Sequence, residues 1–159
     1  NMVLSKVSKM SWNQWIVAGA ISAGLAVICG AFAAHGLDTQ LPKQYAGQTR
    51  VVAGETVPAA RKYVNDFKTA AEYEMFHALG MIAVGLLGRA RWTKCLSLAG
   101  WSFLLGTVLF SGSLYALVLS GVTKLGMITP IGGVLFIVGW VSLAVGAMRC
   151  GPSTEVATT

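Results

Sequence analysis

FSGSLYALVLSGVTKLGMITPIGGVLFIVGW, Phe110 to Trp140, is the stretch that decides the fold. Lys124 is its only charge, near the middle. With Lys124 in a turn, the stretch joins two apolar helices long enough to cross a bilayer. Working outward, the third span is expected over residues 95–120 and the fourth over 129–148. Thr129 and Pro130 read as a cap and first helical residue. A helix begun near Leu125 and kinked at Pro130 is the alternative.

The composition agrees. The chain has 159 residues, 55% of them hydrophobic and 11% charged, with a mean hydropathy of +0.65. Soluble domains carry about 25% charged residues. A net charge of +6 comes from twelve Lys and Arg against six acids. The cations stand at the ends of apolar runs, which makes them topology signals, and no basic stripe interleaved with aromatics points to nucleic acid. The three cysteines, Cys29, Cys95 and Cys150, form no CxxC pair, so neither a disulfide framework nor a zinc site is expected.

Two further runs complete the set. Residues 12–34 carry no charge, and at about 1.5 Å per residue they reach across a hydrocarbon core of about 30 Å. Trp12 and Trp15 suit an interfacial belt behind Lys6 and Lys9. Positive residues, an apolar run and Ala31-Phe32-Ala33 also imitate a cleavable signal, but the run is longer than a signal core. The chain begins with Asn, which fits either a processed, imported protein or an incomplete sequence. The second span is expected over residues 69–88.

Between these two spans, residues 36–57 read as an irregular polar loop with Pro42, Gly47 and Gly54. Thr56 and Pro58 then start a helix. Val57, Ala60, Val64, Phe67 and Ala71 recur at helical spacing, so an amphipathic interfacial helix is expected to lead into the second span. The fold class is thus all-α, an integral-membrane four-helix bundle in one domain over residues 12–148. Residues 1–11 and 149–159 are tails. Glycines on every span allow close helix packing. The short basic turn of Arg89, Arg91 and Lys94 outweighs Lys124 across the membrane, which places both termini on the matrix or cytoplasmic side.

Polar residues within the spans are the candidate site, because each is costly in lipid. His77 lies twelve residues from Arg89, about 18 Å along a helix, and shares a face with Tyr73 and Glu74. Thr107, Ser111 and Tyr115 form a line at four-residue spacing. With His35 and Thr129 these make a geometrically possible intramembrane cluster. Three uses are open: hydrogen bonds that lock the bundle, a proton or small-solute path through His77 and Glu74, and axial histidine ligation of a haem or metal. No CxxCH, Walker, GxSxG or HExxH motif is present. No cofactor and no catalysis are expected. Lys43, Arg50, Arg61 and Lys62 form a basic loop suited to docking or to anionic, cardiolipin-like headgroups.

GAFAAHGL (Gly30–Leu37), TAAEYEMFHAL (Thr69–Leu79), LFSGSLYAL (Leu109–Leu117) and LGMITPIGGVLFIVGW (Leu125–Trp140) resemble the family called domain of unknown function 423. The likeness covers all four spans in order. It implies a small four-helix membrane protein, with His35 and His77 at the family's histidine positions, and it brings no activity. The chain departs from the family by an apparent insertion over residues 40–57 and by Glu74 where many members have Gln. A eukaryotic branch associated with mitochondria implies an inner-membrane location. The expected function is therefore a non-catalytic accessory subunit of an inner-membrane assembly, a respiratory complex above all, in contact with other membrane subunits. A stand-alone carrier or a lipid-organising protein is the alternative.

Overall fold

The computed structural model describes residues 10–149. Four helical runs, residues 12–44, 59–90, 94–120 and 123–149, are each long and apolar enough to cross a membrane. The fold is an all-helical membrane bundle with one small two-stranded sheet. Helix α1 (Trp12–Phe32) passes through a π-helical turn (Ala33–Leu37) into α2 (Asp38–Gln44). Strands β1 (Thr49–Val52) and β2 (Glu55–Pro58) follow, then α3 (Ala59–Ala90), α4 (Lys94–Ser120), a 3-10 turn (Thr123–Met127) and α5 (Thr129–Arg149).

Local chemistry sets the ends. The Gln14 side chain accepts the Ser11 backbone N–H at 2.8 Å, one half of a capping box that starts α1. Thr93 Oγ1 accepts the Leu96 N–H at the head of α4. Gly121 ends α4 in the left-handed conformation at φ 74°, its N–H returning to Leu117 O.

The segment read as an irregular loop is ordered. Ala33, Leu37, Leu41 and Tyr45 are buried at four-residue intervals, and that apolar line carries the helix on to Gln44. Pro42 is tolerated within the last turns, and the helix ends two residues later. The hairpin pairs Thr49 with Pro58, Arg50 with Val57, Val51 with Thr56 and Val52 with Glu55. Its two turn residues, Ala53 and Gly54, have φ of 50° and 87°, the signs a type I′ turn requires.

No break separates the expected interfacial helix from the second span, since α3 runs unbroken for 32 residues. Its buried line is Ala59, Tyr63, Phe67, Ala70 and Glu74. Val57 belongs to β2; of the rest of the face read in sequence, Phe67 and Ala71 are buried, and Ala60 and Val64 are half-buried against the same core.

Helix α1 packs on α3, α3 on α4, and α4 on α5. Glycine sets these approaches: a Cβ on Gly85 would lie 2.6 Å from Trp12 O, and one on Gly132 2.5 Å from Phe110 N. Two apolar cores result. One, toward the Arg89–Lys94 turn, gathers Trp15, Met81, Leu96, Phe103 and Phe136. The other, at the hairpin end, gathers Leu37, Leu41, Tyr45, Tyr63, Phe67 and Val118. Trp15 is fully buried over Gly100 and edge-on to Trp101, so it is a core residue and Trp12 alone of the pair is exposed. Lys6, Lys9 and the tail beyond Arg149 lie outside the described residues.

Candidate functional site: a polar layer between two cores

Polar side chains fill the level between the two cores. Glu74 is 6% exposed and ties three helices together. Its Oε2 accepts from the Tyr115 hydroxyl of α4 at 2.8 Å, and its Oε1 from Ser22 of α1 at 3.2 Å. The Cys29 thiol lies beside the same Tyr115 hydroxyl. Among the described residues no cation pairs with Glu74. Ser111 Oγ donates to Ala70 O at 2.8 Å, a second tie from α4 to α3. Ser113 and Thr129 share a hydrogen bond at 2.9 Å, and Ser113 also donates to Phe110 O, which joins α4 to α5.

His77 faces a different neighbour. One turn on from Glu74 and 4% exposed, it lies parallel to the Phe136 ring with centroids 3.3 Å apart. Phe103 and Trp140 close the other sides. Its Nδ1 is paired with the Tyr73 carbonyl one turn back. Tyr73 stacks on Phe110 and is 40% exposed. No hydrogen bond joins His77 to Glu74 among the described residues, because the two point to opposite neighbours, α5 and α1/α4.

The cluster expected from sequence is therefore divided. Glu74, Tyr115 and Ser111 come together, Thr129 meets Ser113 on the α5 side, and His77 with Tyr73 enters an aromatic cage. His35 is exposed on the π-helical turn and stands outside the cluster. That turn directs Ala33 and Leu37 inward and leaves His35 outward, so the two histidines do not face one another as axial ligands would. Thr107 is buried with an unpartnered hydroxyl. No three His, Cys, Asp or Glu side chains gather among the described residues. Ser22 and Ser113 were missed: each is a lone hydroxyl in an apolar run, and only helix pairing reveals its partner.

The basic loop residues divide likewise. Arg50 is taken up by Tyr63, with Nε and Nη2 donating to its hydroxyl at 3.1 and 2.9 Å. Lys62 pairs with Asp66. Lys43 and Arg61 remain exposed. Tyr45, not singled out by sequence, anchors this end: its hydroxyl donates to Val118 O at 3.0 Å and its ring meets Tyr63. Burial pushes the Tyr45 phenol above its ordinary range. At the opposite end Arg91 donates to Arg149 O, and the Arg89 guanidinium lies over Trp12.

The four apolar helices agree with comparison to known proteins. The family described as Protein of unknown function (DUF423) matches residues 29–133. The chain belongs to the DUF423 family. Its relatives include the UPF0382 membrane protein of Staphylococcus saprophyticus, 38% identical over 85% of this chain and 97% of that protein. The UPF0382 membrane protein YwdK of Bacillus subtilis is 39% identical over 85% of this chain and 96% of its own length. A UPF0382 membrane protein of Haemophilus influenzae is 38% identical over 86% and 95% respectively. No solved structure matches. DUF423 membership and four apolar helices establish a membrane protein of an uncharacterised family. The segment set apart from the family by sequence, residues 40–57, holds the end of α2 and the hairpin.

Proposed function

We propose that this protein is a non-catalytic accessory subunit, packed by its helices into a larger assembly of an energy-transducing inner membrane, with a respiratory-chain complex as host. The observation that carries the reading is the use made of the intramembrane polar groups. Glu74, Ser22, Tyr115, Ser111, Ser113 and Thr129 are all spent on ties between helices, while His77 is sealed by aromatic rings. Helix α1 is held from one side, and Val17, Ile21, Leu25, Ile28 and Phe32 form an exposed apolar stripe on the other. That stripe suits a neighbouring membrane helix.

The mitochondrial inner membrane is the proposed location, on the likeness to the family's eukaryotic branch. The matched relatives are membrane proteins of bacteria, and the bacterial cytoplasmic membrane is the alternative location. Arg89, Arg91, Lys94 and Arg149 share one end, which supports both termini on the matrix or cytoplasmic side. Gentle solubilisation of native membranes, a native gel and identification of the co-migrating proteins test the reading. Co-migration with a respiratory complex is expected; migration alone at bundle size overturns it.

One observation favours a second reading, a proton-linked carrier: a carboxyl buried in the spans is met only by hydroxyls. It requires proton flux in proteoliposomes that Glu74→Gln abolishes while helicity is unchanged. Absence of flux in the unaltered protein ends it.

A further inference from the structure

Two concavities meet at Lys68. The larger, about 1010 Å³, lies between the hairpin and the first turns of α3 and has mixed walls, with Asp38, Glu55, Arg61 and Asn65 among apolar residues such as Val57 and Val64. The smaller, about 360 Å³, is an apolar crevice between α1 and α3, walled by Ala26, Gly30, Ala71, Met75 and Phe76, with Glu72 at its rim. Lys68 lines both. Its ammonium has no ion pair and no hydrogen bond among the described residues, unlike Lys62, held by Asp66, and Arg50, held by Tyr63. The crevice is open at α1, since a Cβ on Gly30 would meet nothing within 4 Å.

We propose that crevice and groove are one phospholipid site: an acyl chain lies along Ala26, Gly30, Ala71 and Phe76, the phosphate meets Lys68, and an ammonium-bearing headgroup meets Asp38 and Glu55 in the groove. The occupant follows from the sequence of surfaces. A site that passes from hydrocarbon-like walls to a lone cation to mixed charges matches chain, phosphate and zwitterionic head in that order. A soluble anion would use the groove and leave the crevice unfilled. The headgroup follows from charge. Lys68 and Arg61 line the groove together with Glu55 and Asp38, a balance that disfavours a purely anionic head and gives an ammonium its acceptors. Lys68 can run its stem along the crevice and hold its charge at the headgroup level. The proposal does not depend on membership in a larger complex.

The test uses the full chain reconstituted into vesicles of equal parts phosphatidylethanolamine and phosphatidylglycerol, re-extracted gently and read by native mass spectrometry. The unaltered protein should retain one phosphatidylethanolamine in excess over phosphatidylglycerol. Lys68→Gln should lower retention roughly fivefold, the weight of one lysine at a lipid surface. Gly30→Leu should lower it as well by filling the crevice with Lys68 intact, and Lys94→Gln at the far end should change nothing. Lys68 is exposed and bonded to no other side chain, so its result stands alone if Gly30→Leu fails to fold. Retention in the vesicle ratio, or unchanged retention in Lys68→Gln, overturns the site. Preference for phosphatidylglycerol overturns the headgroup assignment.

Discussion

Glu74 concentrates what a single residue does here. In lipid its carboxyl has no water to satisfy it, and the bundle supplies hydroxyls from α1 and α4 instead. Such bonds in membranes average about 0.6 kcal/mol and reach about 1.7. Tyr115→Phe is therefore expected to lower stability by about 0.5–1.5 kcal/mol, read as a lower midpoint of thermal unfolding in detergent. Tyr45 gives a pH-dependent counterpart outside the spans. Its phenol is raised above its ordinary 10.0 by burial, so the folded state favours the neutral form. That stability is complete below pH 10.0 and is lost as pH rises through the folded value. Hydrogen exchange at the hairpin amides should accelerate over that range, and Tyr45→Phe should remove the pH dependence while weakening the hold on Val118.

Among the elements, the hairpin carries a local cost that can be relieved. Ala53 sits at φ 50°, where a Cβ costs about 1–2 kcal/mol. Ala53→Asn, the residue preferred at that turn position, should slow hydrogen exchange in β1 and β2. An unchanged rate would mean the hairpin is held by Tyr45 and Tyr63 alone. Helix pairs depend on glycine unequally. Gly85→Ala drives a methyl onto the Trp12 carbonyl and should cost about 1–3 kcal/mol, whereas Gly24 has open space beside it. Gly24→Ala should leave the unfolding midpoint unchanged or higher, since alanine favours the helix. Equal effects at the two positions would contradict the packing order of α1 on α3.

For the whole molecule, the spans were legible because four apolar runs with basic or capped ends leave few alternatives in lipid. The third and fourth helices differ from expectation by one residue at an end. The segment after Ala34 was not legible: Gly36 and Pro42 look like breakers, and the buried spacing of Ala33, Leu37, Leu41 and Tyr45 spans both. The hairpin did leave a signal, β-branched residues on either side of Ala53-Gly54. The polar layer was half legible. Helical spacing placed Glu74, Ser111 and Tyr115 on inward faces, but a spacing rule does not show that His77, three residues on from Glu74, turns to α5. Nor could it distinguish Arg50 and Lys62, whose charges are satisfied by Tyr63 and Asp66, from the free Lys68.

The non-catalytic reading stands on the polar layer being a structural tie. A double-mutant cycle in thermal or denaturant unfolding with Glu74→Met, Tyr115→Phe and the pair measures this directly. A coupling of about 0.6–1.7 kcal/mol between the two positions is predicted. Strictly additive losses would show that Glu74 and Tyr115 do not hold α3 to α4, and the structural account of the layer would fail.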